Sequence, residues 1–280
     1  ESGVGDDSWG SSSAFFDMDR DGDLDLYVAN YIEWNEGIER NCKSQSGILD
    51  YCHPDAYNAP AKDVLYRNNG DGTFTDVSKE AGIHSVWGNG LGVTVGDVND
   101  DGLLDLLVVN LSGETDSLFM NEGGLLVDRT AEYATATDVS GDNGFLTPTN
   151  DRDIVLHDLD LDGWLDMITV TTLTDNSTKA LSHPRIYMNL GEVDGIWQGF
   201  RFENARIPQM HSTAGPRFCS LAVGDLTGNG YPDLYFGDYD SGSTQIFDFN
   251  NRLLINDGNA YFTDQSTQRM DSDMLLSAFG

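Results

Sequence analysis

Short apolar runs recur along the chain, each followed by a turn rich in Asp and Gly and then by a segment of alternating character. The runs occupy 14–16, 93–95, 154–156 and 221–223. The alternation is seen where Leu24, Leu26 and Val28 interleave with Asp25, Tyr27 and Ala29, and in Leu-Asp-Leu-Leu-Val-Val (104–109) and Leu-Asp-Met-Ile-Thr-Val (165–170). The runs predict strands buried on both faces, and the alternation predicts strands of period two. A second pair of strands around an Asn/Asp/Gly turn follows each time, at 64–77, at 118–127, at 186–191 with 200–202, and at 253–262, which is a hairpin signal.

One unit is therefore four strands, and its Asp-rich turn begins at 17, 97, 158 and 225, a mean spacing of about 69 residues. Units of this kind predict an all-β fold, a β-propeller of four-stranded blades inflated by long loops. The expected blades are 11–83, 90–137, 152–207 and 218–270 within a single domain, 1–280. The stretch Glu1-Ser-Gly-Val4 before Trp9-Gly10 matches Glu80-Ala-Gly-Ile83 before Trp87-Gly88, and Leu276-Ser-Ala-Phe-Gly280 matches Ser12-Ser-Ala-Phe-Phe16. Residues 274–280 thus read as the start of a further inner strand. Either four blades close and one strand is surplus, or the chain is part of a larger propeller; a surplus strand needs a partner, which a second copy meets by head-to-tail pairing.

The turns carry chemistry of their own. Asp17, Asp19, Asp21, Asp23 and Asp25 share the spacing Asp-x-Asp-x-Asp-Gly-x-x-Asp with Asp97, Asn99, Asp101 and Asp105, with Asp158, Asp160, Asp162 and Asp166, and with Asp225, Thr227, Asn229 and Asp233. Oxygen-bearing side chains stand at positions 1, 3, 5 and 9, Gly at 6, and the backbone carbonyl near position 7 (Asp23, Leu103, Trp164, Tyr231) completes an oxygen set of the kind Ca²⁺ requires. An EF-hand needs Glu at position 12, which here is Val28, Val108, Thr169 or Phe236. Asp and Gly also gather in ordinary solvated turns, but four copies in one strand context favour three to four calcium ions, with the fourth loop poorest in carboxylates.

A net charge of −32 argues against nucleic acid and against an anionic membrane surface; four Ca²⁺ would leave −24. No run of about 18 apolar residues exists to span a membrane. Glu1 begins without a basic and apolar leader, so a signal peptide is expected to be already absent. Many loops of modest affinity suit a compartment rich in calcium, outside the cytosol or at the cell surface. Cys42 and Cys52 fit a disulfide there, leaving Cys219 as a small buried hydrophobe. Asn110 and Asn176 head glycosylation triplets. Long insertions at 31–62, 134–152 and 171–183 offer binding surface, the first through Trp34, Tyr51 and Tyr57, whose rings would stack on a glycan if exposed and would simply cover a blade if buried.

The four loops resemble those of the FG-GAP or VCBS repeat family, the calcium-loop propeller repeats of integrin α-chains and of many bacterial surface proteins. Tyr51-Cys52-His53-Pro54, followed by Leu65-Tyr-Arg-Asn-Asn-Gly-Asp-Gly-Thr-Phe-Thr-Asp-Val-Ser-Lys-Glu-Ala-Gly82, is similar to the branch related to cartilage acidic protein. The resemblance implies an extracellular protein with structural calcium, a role in adhesion or protein contacts, and a propeller that commonly has seven blades.

Catalytic signatures are missing: no His-Glu-x-x-His, Gly-x-Ser-x-Gly or phosphate-binding Gly-x-x-x-x-Gly-Lys occurs, and His53, His84, His157, His183 and His211 are scattered. Paired carboxylates for glycoside hydrolysis form the less favoured alternative. The sequence thus predicts a non-enzymatic extracellular protein, structural or adhesive, that binds copies of itself in surface fibres or binds an extracellular protein or glycan.

Overall fold

The computed structural model describes residues 2–43, 47–50, 52, 56–85, 87–111, 114–172, 183–208, 210, 215–238, 247–248 and 250–271. Tyr51, His53, Asn176, His211 and the strand expected at 274–280 lie outside the described residues. The chain divides into two compact units, Glu1–Thr130 and Ala131–Gly280.

The first unit holds two antiparallel sheets. One runs β1 (Trp9–Phe16), β2 (Asp25–Ile32), β3 (Val64–Asn68) and β4 (Phe74–Asp76); the other runs β5 (Gly90–Gly96), β6 (Asp105–Asn110), β7 (Ser117–Asn121) and β8 (Leu126–Asp128). The second unit repeats the design with β9 (Asp151–His157), β10 (Asp166–Thr171), β11 (Arg185–Asn189) and β12 (Phe200–Phe202), then β13 (Phe218–Gly224), β14 (Asp233–Asp238), β15 (Arg252–Asn256) and β16 (Phe262–Asp264). Each sheet is a meander in sequence order, and each Asp-rich turn joins its first two strands. A two-residue strand, Ala136–Thr137, lies parallel to β12 and makes the third sheet five-stranded.

The expected burial is reversed between the first two strands. β6 and β10 are buried at every position, whereas β1, β5, β9 and β13 are mostly half-buried or exposed. The first strand lies at a sheet edge with one ladder neighbour, while the second is interior and has apolar neighbours on both sides. Each first strand also slips register near its start, around Ser11, Leu91, Arg152 and Cys219. Cys219 is thus the bulge residue of its repeat, half-buried, with Sγ 3.6 Å from the Gly237 carbonyl.

The core of each unit is the seam between its two sheets. Phe16, Met18, Tyr27, Ala29 and Leu65 of the first sheet meet Leu106, Val108, Phe119 and Leu126 of the second. Leu159, Ile168, Val170 and Ile186 meet Leu234, Phe236, Leu254 and Phe262 in the other unit. The outer strands are covered by the segment that leads into their own sheet: Phe74 donates to Ser2 O (2.7 Å) and Leu126 to Ala81 O (2.8 Å). Gly3 and Gly82 occupy the left-handed region here (φ 83° and 89°), and a Cβ on either would fall 2.4 Å from Phe74 O or 2.7 Å from Leu126 O.

Two insertions are ordered by specific bonds. Cys42 and Cys52 are disulfide-linked beneath a short pairing of Cys42–Lys43 with Leu49–Asp50. In the second unit the buried Arg185 guanidinium donates to Gly144 O (3.0 Å), pairs with Asp142 and stacks on Phe202, which pins the 138–147 segment. Asn110 is 3% exposed, with its amide bonded to Thr115 O, so the folded chain offers no glycan acceptor at that triplet.

Candidate metal centre

The four loops share one backbone frame. The position-1 carboxylate accepts two amides across the turn: Asp17 from Asp21 and Gly22, Asp97 from Asp101 and Gly102, Asp158 from Asp162 and Gly163, and Asp225 from Asn229 and Gly230, at 2.7 to 3.1 Å. These bonds hold Asp225 below the usual carboxylate range. Position 4 is left-handed in every copy (Arg20, Asp100, Leu161, Gly228), and so is the glycine at position 6. Two consecutive changes of hand fold the loop tightly enough for alternate side chains to converge.

Three carboxylates cluster in the first and third loops. Asp17, Asp19 and Asp21 each bring a carboxylate oxygen within 4.8 Å of the others, and Asp158, Asp160 and Asp162 do the same. In the second loop Asn99 turns its amide to Asp101 at 2.9 Å. In the fourth, Thr227 and Asn229 replace carboxylates. Asp160 Oδ1 and Thr227 Oγ1, both at position 3, are buried and lack a hydrogen-bond partner. Burial first, then Asp162 and Asp158, pushes the Asp160 carboxyl above its ordinary value. An all-oxygen set with an unmatched buried oxygen suits a hard divalent cation.

The position-9 carboxylates do more than close the loop. Asp25, Asp105, Asp166 and Asp233 are buried, and each accepts the position-2 amide on Oδ2 (Met18, Val98, Leu159, Leu226; 2.9 to 3.1 Å). Oδ1 accepts the amide of Asn68, Asn121, Asn189 or Asn256 in the hairpin (2.8 to 3.0 Å). Each oxygen keeps a second lone pair for an ion. Desolvation pushes Asp105 and Asp166 up to about 7, their backbone bonds opposing it. The position-7 side chain packs on the hairpin turn: a Cβ on Gly70 would sit 2.8 Å from Asp23, and one on Gly191 or Gly258 would sit 3.0 Å from Trp164 or Tyr231.

Sequence reasoning read the hairpin asparagines only as turn formers. Each locks a turn with its whole side chain. Oδ1 accepts from the turn glycine (Gly70, Gly124, Gly191, Gly258), and Nδ2 donates to the position-8 carbonyl of its own loop (Leu24, Leu104, Leu165, Pro232). Asn121 Nδ2 also donates to Met18 O, and Asn256 Nδ2 to Leu159 O, both at 2.8 Å, so the hairpin of one sheet grips the loop of the sheet before it. Arg20 makes a second link, donating to Asp101 O and Gly102 O. The recurrence of Asn at one hairpin position was the available signal. A second unforeseen set is Asp63 and Asp116, which accept the amides of the strand-ending Asn30 (2.7 Å) and Asn110 (2.8 Å).

The other candidates do not join these clusters. His157 Nδ1 lies 3.1 Å from Asp158 O, and His183 sits between the carbonyls of Pro184 and Pro208. Trp9 of β1 and Trp34, Glu39, Arg40, Leu49 and Tyr57 of the first insertion line an open cavity of about 630 Å³. Tyr57 is buried, whereas Trp34 is 38% and Trp9 45% exposed. Trp34 Nε1 donates to Glu39 at 2.6 Å.

A family model described as FG-GAP-like repeat matches residues 51–108 and 158–236. Cartilage acidic protein 1 of Xenopus tropicalis is 27% identical over 139 residues, covering 37% of this chain and 22% of the relative. The Homo sapiens protein of the same name is 26% identical over 139 residues, covering 37% and 21%. The match spans about a fifth of the length of these relatives. The chain carries FG-GAP-like repeats over just under half of its length and is similar, over part of its length, to cartilage acidic protein 1.

Proposed function

We propose that this chain is a non-enzymatic, calcium-stabilised β-propeller, extracellular, with a structural or adhesive role. The observation that carries the calcium reading is the pair of buried, partnerless oxygens at position 3, Asp160 Oδ1 and Thr227 Oγ1, in loops whose other candidate ligands are also oxygens. A bound ion neutralises carboxylates that otherwise repel, and ties the edge strand of a sheet to its interior strand. Binding free energy then adds to folding free energy. The four sheets are read as blades of one propeller over 1–280, and adhesion as contact with other proteins or with further copies.

Titration calorimetry with calcium, paired with thermal unfolding in calcium and in chelator, tests this. Three to four sites and a higher unfolding temperature in calcium are expected. Absence of binding, or identical unfolding in chelator, overturns it.

A second reading is favoured by the cavity beside the first insertion, lined by the part-exposed Trp9 and Trp34 with Glu39 and Arg40. Such a surface suits a sugar ring. Binding of oligosaccharides that is lost in Trp34→Ala, with calcium binding unchanged, would establish a carbohydrate-binding module.

A further inference from the structure

The sheet-to-sheet contact inside each unit is one interface used repeatedly, and the chain exposes both of its halves elsewhere. The forward half consists of the position-2 residue and its carbonyl. Met18 is 4% exposed and Leu159 0%, and Met18 O and Leu159 O accept the hairpin asparagine of the following sheet. Leu226 holds the same position in the fourth loop and is 62% exposed. The backward half is the apolar face that the second sheet, through Val95, Leu104, Leu106 and Val108, lays on the first. Its counterparts in the first sheet are Phe15, Leu24, Leu26 and Val28. Phe15 is 57% exposed and Leu24 54%, and an open groove of about 410 Å³ runs past Phe15, Leu26 and Val28. Asn68, the matching hairpin asparagine, donates through Nδ2 to Leu24 O of its own loop, where Asn121 and Asn256 each reach a second carbonyl as well.

We infer that the backward face of the first sheet, around Phe15, docks on the Leu226 face of the fourth sheet in a second copy of this chain, with Asn68 reaching the Leu226 carbonyl. The occupant is another copy because one molecule displays both halves of the contact exposed, with the donor asparagine and the acceptor carbonyl that the internal seams use. Two different patches meeting in this way form a heterologous contact, which propagates copy after copy. The inference rests on the self-associating form of the reading above and names its surfaces.

Sedimentation velocity in calcium tests it on the full chain and on two variants at half-exposed positions, Phe15→Asp and Leu226→Asp. The unaltered chain is expected to grow in mass with concentration through dimer and beyond. Each variant alone is expected to stay monomeric. An equimolar mixture of the two is expected to give dimers, a twofold mass and no more, because only one intact pair of faces remains. A monomeric unaltered chain at every concentration, association that survives either substitution, or a mixture that stays monomeric overturns the inference. Asn68→Ala provides an independent variant, expected to weaken association at least tenfold; unweakened association counts against the assigned register. Association without any calcium effect on unfolding would leave the contact standing and remove the calcium reading.

Discussion

Asn121 shows how much one side chain carries in this fold: its Nδ2 serves Met18 O and Leu104 O, and its Oδ1 takes the Gly124 amide. Asn121→Ala strands those groups where water is excluded, at a cost on the order of 1–3 kcal/mol for each unpaired buried group. Asn68→Ala faces solvent and has one carbonyl to lose, so chemical denaturation should show a markedly smaller loss. Asp63 offers a pH test. Burial, opposed by its bonds from Tyr27 and Asn30, raises its carboxyl to about 6. Since the folded state then holds the proton more tightly than the unfolded chain, this group's contribution is full below about pH 4 and is lost as pH rises through 6, on the order of 3 kcal/mol. Asp63→Asn should remove that part of the stability slope between pH 4 and 6 and leave the rest. At the loops, Asp19→Ala with Asp21→Ala removes two of three clustered carboxylates, whereas Thr227→Ala removes a neutral oxygen. Calorimetry should therefore lose a calcium site in the first case and show a smaller effect, a weakened fourth site, in the second.

At the scale of elements, the turns were legible because their signal is local. Position 1 to position 9 spans one loop, and the glycine and carboxylates have to stand where they do for the chain to turn at all. The four meanders followed from the same period. Burial was misread because it depends on what packs across a sheet. An apolar run such as 93–95 looks interior, yet it belongs to an edge strand, and the fully buried 105–110 looks alternating only because Asp105 and Asn110 are polar groups satisfied inside. The asparagine latches and the Arg185 anchor were hidden for a related reason, since their partners lie far off in sequence: 103 residues for Asn121 with Met18 and 41 for Arg185 with Gly144. Gly82 tests the covering segment. Alanine there meets both a left-handed backbone and the Leu126 carbonyl, so Gly82→Ala should cost more than 1 kcal/mol by denaturant unfolding, whereas Gly123→Ala, left-handed but with open space, should cost less.

For the whole molecule the governing quantity is the charge of −32, concentrated partly in loops that fold carboxylates together. Screening by monovalent salt should raise the unfolding temperature of the calcium-free chain somewhat, as self-repulsion is relieved. Calcium should exceed that effect at equal ionic strength and exceed magnesium as well, because a smaller ion that demands near-octahedral geometry fits such loops poorly. If sodium chloride alone reproduces the calcium shift, the stabilisation is general screening and no site is needed. The covering segments carry a further consequence, for biosynthesis. Phe74 bonds to Ser2, so the first sheet is sealed by residues translated some seventy positions earlier. At about 5–20 residues per second the leading segment waits several seconds for its partner. During that interval it is an unpaired segment, and a chaperone or a neighbouring nascent chain has its best opportunity to capture it.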